Sequence, residues 1–328
     1  MIPTDLSEMN SHRASHERHL VLAGCALALC LFGISLMAPS FASAANTCPG
    51  RNGKVAVLKP GSQKNVIGIL APNHRLRSVY EAPAGGSTGG RSIFGLSFSC
   101  NGRQIVFVEN NLSDCNLLAV VAVETGMRRE IDTPHLCAGA PAFLGNGKIV
   151  FAASSANGRR IGGTYVIRPD GSHLHRRFGR RELTASPDGQ WFVGPGSHGT
   201  LRTLYLLNAK GKVVRRLTST APVNSEYINP HFSANGRWIV YEQRHFLGTR
   251  LHDVLYVVRR DGTHRRRLTS GPESASEPAF SPDGCWIAFT RSKEGPSGNV
   301  FALSVRHPSR IKKLGLSSSY EYPAWSPR

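Results

Sequence analysis

The chain has one long apolar run and no second, which excludes a polytopic membrane protein. It has no Gly-X-Y triplet and no sustained heptad, which excludes collagen and coiled coil. Outside residues 20–37, no stretch between Gly or Pro breaks keeps a 3.6-residue apolar period for long enough to build a helix. Acidic residues are scarce: 21 Asp and Glu stand against 40 Lys and Arg in 328 residues, a formal charge of +19. Turn formers are abundant instead, with 34 Gly and 20 Pro, while 40% of residues are hydrophobic and fall in short, evenly spread runs. That distribution excludes a disordered chain and points to many short strands.

The single apolar run, LVLAGCALALCLFGISLM, is followed by Ala42-Ser43-Ala44 and then by polar Asn46 and Thr47. An apolar region closed by a small-x-small site is the pattern of a secretory signal peptide. Residues 1–44 are therefore expected to be removed, with the mature chain starting near Ala45. The leading segment sets Arg13 and Arg18 against Asp5, Glu8 and Glu17, and a start at Met9 would drop two of those acids. An uncleaved anchor is the competing reading, since the run is long enough to span. Leu22-Ala23-Gly24-Cys25 spells a lipoprotein box, but further apolar residues follow Cys25, so it reads as a chance match.

The body of the chain repeats. EPAFSPDGCWIAF (277–289) recurs as NPHFSANGRWIVY (229–241), and more loosely around Gly189, Gly147 and Gly102. The turn glycines at 102, 147, 189, 236 and 284 are 45, 42, 47 and 48 residues apart. Each unit reads as four strands: an inner strand ending in an Asp-Gly or Asn-Gly turn, an apolar second strand, an alternating third, and a basic fourth such as Arg266-Arg267-Leu268-Thr269. A four-stranded unit of this period is a propeller blade. The chain ends on an inner strand cut off before its turn, Tyr322-Pro323-Ala324-Trp325-Ser326, and the continuation appears at the other end as Asn52-Gly53 followed by 54–58, 65–70 and 75–80. The expected fold is all-β: a six-bladed β-propeller over 45–328, closed by a C-terminal inner strand joining three N-terminal strands.

These motifs resemble the TolB-like six-bladed propeller family, with its P-x-[WF]-S-P-D-G-x-x-I-x-[FY] repeat and R-R-L-T blade ending. The resemblance spans residues 52–328 and implies a scaffold that works by binding partner proteins. The family's namesake has an extra α/β domain ahead of its propeller. Only eight residues separate Ala44 from the first blade turn, so the resemblance implies the propeller without that domain's role.

Export would place Cys48, Cys100, Cys115, Cys137 and Cys285 in an oxidising compartment, and the odd count leaves at least one free. The turn 124–127 is about ten residues from both Cys115 and Cys137, so these can face each other across adjacent strands. Cys48 and Cys100 could then staple the N-terminus to the first blade's turn, one choice among the pairings five thiols allow.

Other chemical signals are weak. Gly85-Gly86-Ser87-Thr88-Gly89 matches the nucleophile elbow but lies in a Gly/Ser-rich loop between blades, where the motif needs a strand before it and a helix after it. The glycine pattern at 194–199 is followed by a strand, so it reads as a hairpin loop. His173 and His175 share a strand face but have no third ligand nearby in sequence. Basic pairs at 128–129, 176–177, 215–216, 265–267 and 312–313 all fall on fourth strands, where charge blocks edge-to-edge pairing. They could also attract an anionic membrane or cell wall. Nucleic acid is not expected, because export separates the protein from it.

The position seven before each turn glycine holds Gly95, Ala140, Glu182, Asn229, Glu277 and, in the shared blade, Tyr322. Two positions on, small residues prevail except at His231. Glu182, Asn229, His231, Glu277 and Tyr322 are the candidate ligand-binding residues, converging on one mouth of the propeller. The expectation is an exported, monomeric, non-catalytic scaffold for a protein or anionic cell-envelope ligand, without cofactor. The alternative is a metal- or acid/base-dependent hydrolase or lyase with its site in the central funnel.

Overall fold

The computed structural model describes residues 47–71, 73–84, 92–110, 115–156, 162–179, 183–195, 202–248, 250–293, 297–315 and 319–328. The signal-like run, the Gly85–Gly89 motif and Glu182 lie outside them. Every regular element among the described residues is a strand, and the strands form six antiparallel four-stranded sheets.

The N-terminal strands are β1 (Asn52–Lys59), β2 (Lys64–Leu70) and β3 (Leu76–Pro83). Blade one holds β4 (Ser92–Phe98), β5 (Gln104–Asn110), β6 (Asn116–Ala122) and β7 (Arg128–Ile131). Blade two holds β8 (Leu136–Phe143), β9 (Ile149–Ser155), β10 (Gly163–Ile167) and β11 (His175–Phe178). Blade three holds β12 (Thr184–Ala185), β13 (Trp191–Pro195), β14 (Leu204–Asn208) and β15 (Val213–Arg216). Blade four holds β16 (Ser225–Phe232), β17 (Trp238–Leu247), β18 (Arg250–Arg259) and β19 (Arg266–Arg267). Blade five holds β20 (Ser274–Phe280), β21 (Trp286–Ser292), β22 (Asn299–Ser304) and β23 (Ile311–Lys313). The last strand, β24 (Glu321–Pro327), pairs with β1, so the sixth sheet has the order β24-β1-β2-β3. Inner strands touch in the cyclic order β4, β8, β12, β16, β20, β24 and back to β4. The molecule is a six-bladed β-propeller.

The core lies between blades. Six apolar clusters each draw on two neighbouring sheets: Phe107 and Val121 of blade one pack with Ile67 and Ala324 of the shared blade, and Val57 and Trp325 pack with Ala288 and Ala302 of blade five. Second strands have neighbours on both faces, which is why they read as near-continuous apolar runs.

The repeat motif has a local physical basis. Ser281 Oγ donates to Asp283 (2.6 Å) and accepts from the Trp286 N–H (2.9 Å), while Gly284 takes a φ of +70°. Ser233–Asn235–Trp238 and Ser186–Asp188–Trp191 repeat those contacts. The loop closes with Ser281 N–H on the Trp286 carbonyl, so it is a four-residue loop built on a side-chain turn rather than a two-residue hairpin.

Two disulfides join Cys48 to Cys100 and Cys115 to Cys137, and Cys285 is free and exposed. The second bond departs from the hairpin geometry expected for it. Cys115 lies just ahead of β6 in blade one, whereas Cys137 is on β8, the inner strand of blade two, with Cα atoms 4.6 Å apart. The bond therefore ties blade to blade.

Candidate functional site

The repeat position singled out by sequence is a backbone device. Gly95, Ala140, Asn229, Glu277 and Tyr322 all have left-handed φ, between 45° and 69°. At each, two residues of the inner strand oppose one on the second strand, as between Ile228 and His231 in β16 and between Ser276 and Ala279 in β20. These are β-bulges. The next residue is Pro141, Pro230, Pro278 or Pro323 in four of the five, and a bulge leaves unpaired the N–H that proline lacks. A non-glycine side chain in this conformation, before proline, is strained and persists only where surrounding contacts hold it.

In blades four to six, buried carboxyl groups hold it. Glu242 of β17 is fully buried, and its Oε1 accepts from Asn229 Nδ2 (2.7 Å) and from the bulge N–H of Glu277 in the next blade (2.6 Å). Glu277 Oε2 in turn accepts from the bulge N–H of Tyr322 in the shared blade (2.6 Å) and from Thr290 Oγ1 (3.3 Å). Burial, then the charge of Asp253, pushes the Glu242 carboxyl up to about 8. Its Oε2 has no hydrogen-bond partner among the described residues. Burial, followed by Glu321, drives Glu277 well above the carboxylate range, and burial with Glu277 raises the Tyr322 hydroxyl in the same sense. Glu242 was not singled out from sequence, because it sits on a second strand just past the apolar residues 239–241 that the repeat defines and is followed by polar Gln243 and Arg244.

The structure thus brings Asn229, Glu277 and Tyr322 together through the carboxyls of Glu242 and Glu277. Asn229 and Glu277 are buried, and Tyr322 is half-buried. His231 is fully buried two residues along β16 from Asn229. Its Nδ1 accepts from the Phe280 N–H at 3.5 Å, as Ser97 Oγ accepts from the Phe143 N–H at 3.2 Å between blades one and two. Burial pushes the imidazole down to about 3. Between that value and the ordinary 6.5 or so, the unfolded state binds the extra proton, so stability rises with pH across the window and is lost on acidification. His231→Ser should therefore flatten the pH dependence of the urea midpoint between about pH 3.5 and 6.5 relative to the parent. Parallel slopes for the two proteins would contradict a buried neutral imidazole.

At the end where the inner strands begin, the β17–β18 hairpin is the longest among the described residues, with ten residues in each strand. Phe246 and Leu247 near its tip are 39% and 60% exposed. On its blade-five side a cleft of about 640 Å³ is lined by Arg250, Ser270, Pro272, Glu273, Arg291 and Lys293. The Arg291 guanidinium lies over the Phe289 and Phe301 rings and 3.9 Å from Glu273.

The remaining sequence signals resolve as follows. His175 opens β11, but His173 lies in the turn before it with a φ of 60°, so the two do not share a strand; both are exposed. No set of three His, Cys, Asp or Glu is arranged for a metal among the described residues. The glycine pattern after Pro195 runs into residues outside the description. The rim arginines brace neighbouring blades: Arg129 donates to the Pro169 carbonyl, Arg177 to that of Ala209 and Arg266 to that of Val305.

No protein-family model and no curated protein matches the sequence. Among solved structures, TolB from Acinetobacter baumannii superposes with a TM-score of 0.62 at 20% identity, over 84% of this chain and 67% of that one. A putative TolB from Agrobacterium tumefaciens gives 0.58 at 15% identity, over 84% and 99%. An oligogalacturonate lyase from Vibrio parahaemolyticus gives 0.51 at 14% identity, over 84% and 77%. The fold defines a β-propeller protein. Within that class it is a TolB-like propeller, a likeness of fold.

Proposed function

We propose that this protein is an exported, monomeric, non-catalytic scaffold that binds a partner protein or anionic cell-envelope ligand at the end of the propeller where the inner strands begin. The signal-like N-terminus, expected to be removed at 1–44, and the two disulfides support export. The TolB-like fold supports a binding role. The observation that carries the site is the row of bulges in blades four, five and six, linked blade to blade by Glu242 and Glu277, beside the long hairpin that exposes Phe246 and Leu247. A preformed frame with exposed apolar side chains lowers the ordering cost of binding. Asn229, Glu277 and Tyr322 set the frame, with His231 behind it and Glu182 as its sequence equivalent in blade three.

A second reading is an acid/base hydrolase or lyase. It draws on the raised pKa values of Glu242 and Glu277 and on the likeness to oligogalacturonate lyase. Against it, one oxygen of each carboxyl is occupied by a bulge N–H.

The test is a photo-crosslinking side chain placed at Phe246 or, separately, at exposed Val214 on the rim strand β15, in cells that export the protein. Adducts are expected from position 246 and not from 214. Adducts from 214 alone would move the binding surface to the basic rim.

A further inference from the structure

We propose that His245 and His252 on the β17–β18 hairpin form a two-histidine site for a borderline transition-metal dication, copper(II) or zinc(II). The inference stands apart from the scaffold reading and needs no partner.

The two histidines lie directly opposite each other in the antiparallel ladder, His245↔His252. Opposed residues project to the same side of the sheet with Cβ atoms about 5 Å apart, the spacing at which two side chains can share one ion. Their rings are stacked at 28° with centroids 6.4 Å apart. Two imidazoles on one tetrahedral zinc, with Zn–N bonds near 2 Å, place their centroids about 5 Å apart, so small side-chain rotations close the gap.

The second observation is the support of the first ring. Ser225, buried at the start of β16, pairs with His245 in the ladder, and its Oγ is 2.9 Å from His245 Nδ1. With Nδ1 bonded to the hydroxyl, the ring orientation is set and Nε2 faces away from that bond; in the tautomer that donates from Nδ1 to Ser225 Oγ, Nε2 is the ligand nitrogen. Burial, then His252 and Arg267, holds the His245 imidazole below its ordinary range, which keeps the ligand form at neutral pH. Both rings are half-buried, so each has few orientations to lose. Neighbouring Asp253 is not a further ligand, because Arg244 takes both its oxygens at 2.9 and 3.0 Å.

His173 and His175 have their Nδ1 atoms bonded too, to Ser172 Oγ and the His173 carbonyl, but they lack the cross-strand register and the burial: they are exposed and two apart in sequence. They are the internal control. With two protein ligands, the remaining coordination positions fall to water or to a group from a bound molecule, so the ion would exchange readily. Imidazole donors suit copper and zinc, and copper(II) should bind tighter.

The test is calorimetric titration of CuCl₂ and ZnCl₂ into untagged mature protein with both disulfides intact and Cys285→Ser, which removes the exposed thiol as a competing ligand. One ion per chain is expected, copper tighter than zinc. His252→Ala should abolish saturable binding, Ser225→Ala should weaken it about ten-fold, and the His173→Ala/His175→Ala double variant should bind as the parent does. Electron paramagnetic resonance of the copper complex of the otherwise unaltered chain should show two nitrogen ligands, a readout that needs no histidine variant to fold. Absence of stoichiometric binding, its survival in folded His252→Ala, its loss with the 173/175 pair, or a spectrum without two nitrogens would each overturn the site.

Discussion

Deleting residues 320–328 is expected to abolish cooperative folding. The deletion removes β24, whose Trp325 and Ala324 pair with Val55 and Ala56 of β1 and pack into the cores on both sides of the shared blade. It also removes the Tyr322 N–H from buried Glu277 and the backbone bond from Arg328 to the Arg51 carbonyl. Loss of one buried Trp side chain alone costs about 3–5 kcal/mol, against a total stability of about 5–15 kcal/mol for a domain. The deletion adds an open sheet edge at β1, a template for association between molecules. Calorimetric melting should show a broad or absent transition with aggregation. A single sharp transition near that of the parent would contradict the shared blade.

Glu242→Ala should be among the most damaging single substitutions in the molecule. It strands the buried bulge N–H of Glu277 and removes one partner of the Asn229 amide. An unpaired buried donor costs about 1–3 kcal/mol. With the cavity left behind, a loss of about 3–5 kcal/mol in urea unfolding is expected. Glu242→Gln keeps an oxygen acceptor for both bonds and should lie within about 1 kcal/mol of the parent near neutral pH. The two proteins should differ in pH dependence. The folded carboxyl is raised to about 8, so between the ordinary value near 4.5 and 8 the folded state binds the extra proton and stability falls as pH rises. Glu242→Gln should lack that part of the decline. An Ala variant as stable as the Gln variant would show that the carboxyl holds nothing in place.

The blades were legible in sequence because four of the five turns within blades repeat Ser-x-Asx-Gly with fixed internal bonds, the other being Leu144-Gly145-Asn146-Gly147, and because proline marks the bulge in most inner strands. Closure was legible from a motif split between the two ends. The cysteine partners were also legible, but the route from Cys115 to Cys137 was not, since hairpin spacing cannot distinguish a strand of the same blade from the inner strand of the next. The repeat position at 229, 277 and 322 was visible as a set of equivalent residues. Its left-handed backbone was not, because the bonds that hold the bulges at 277 and 322 come from the preceding blade and that at 229 from the second strand of its own. Glu242 and the His245–His252 pair escaped for a related reason. Each gains meaning only from a cross-strand or cross-blade register, whereas the chain itself shows an acid just past an apolar run and two histidines seven residues apart.

Amide hydrogen exchange of the mature protein, read at the Glu277 and Tyr322 N–H groups, distinguishes bulges locked from blade four through blade six from an open polar funnel. Locked bulges require both amides to exchange at the slow rate of the core strands β17 and β21, and require the Glu277 amide to become fast in Glu242→Ala. Rapid exchange at both positions in the parent protein, with the flanking strands still protected, would mean that the bulge N–H groups are open to solvent and that the carboxylates do not hold the frame.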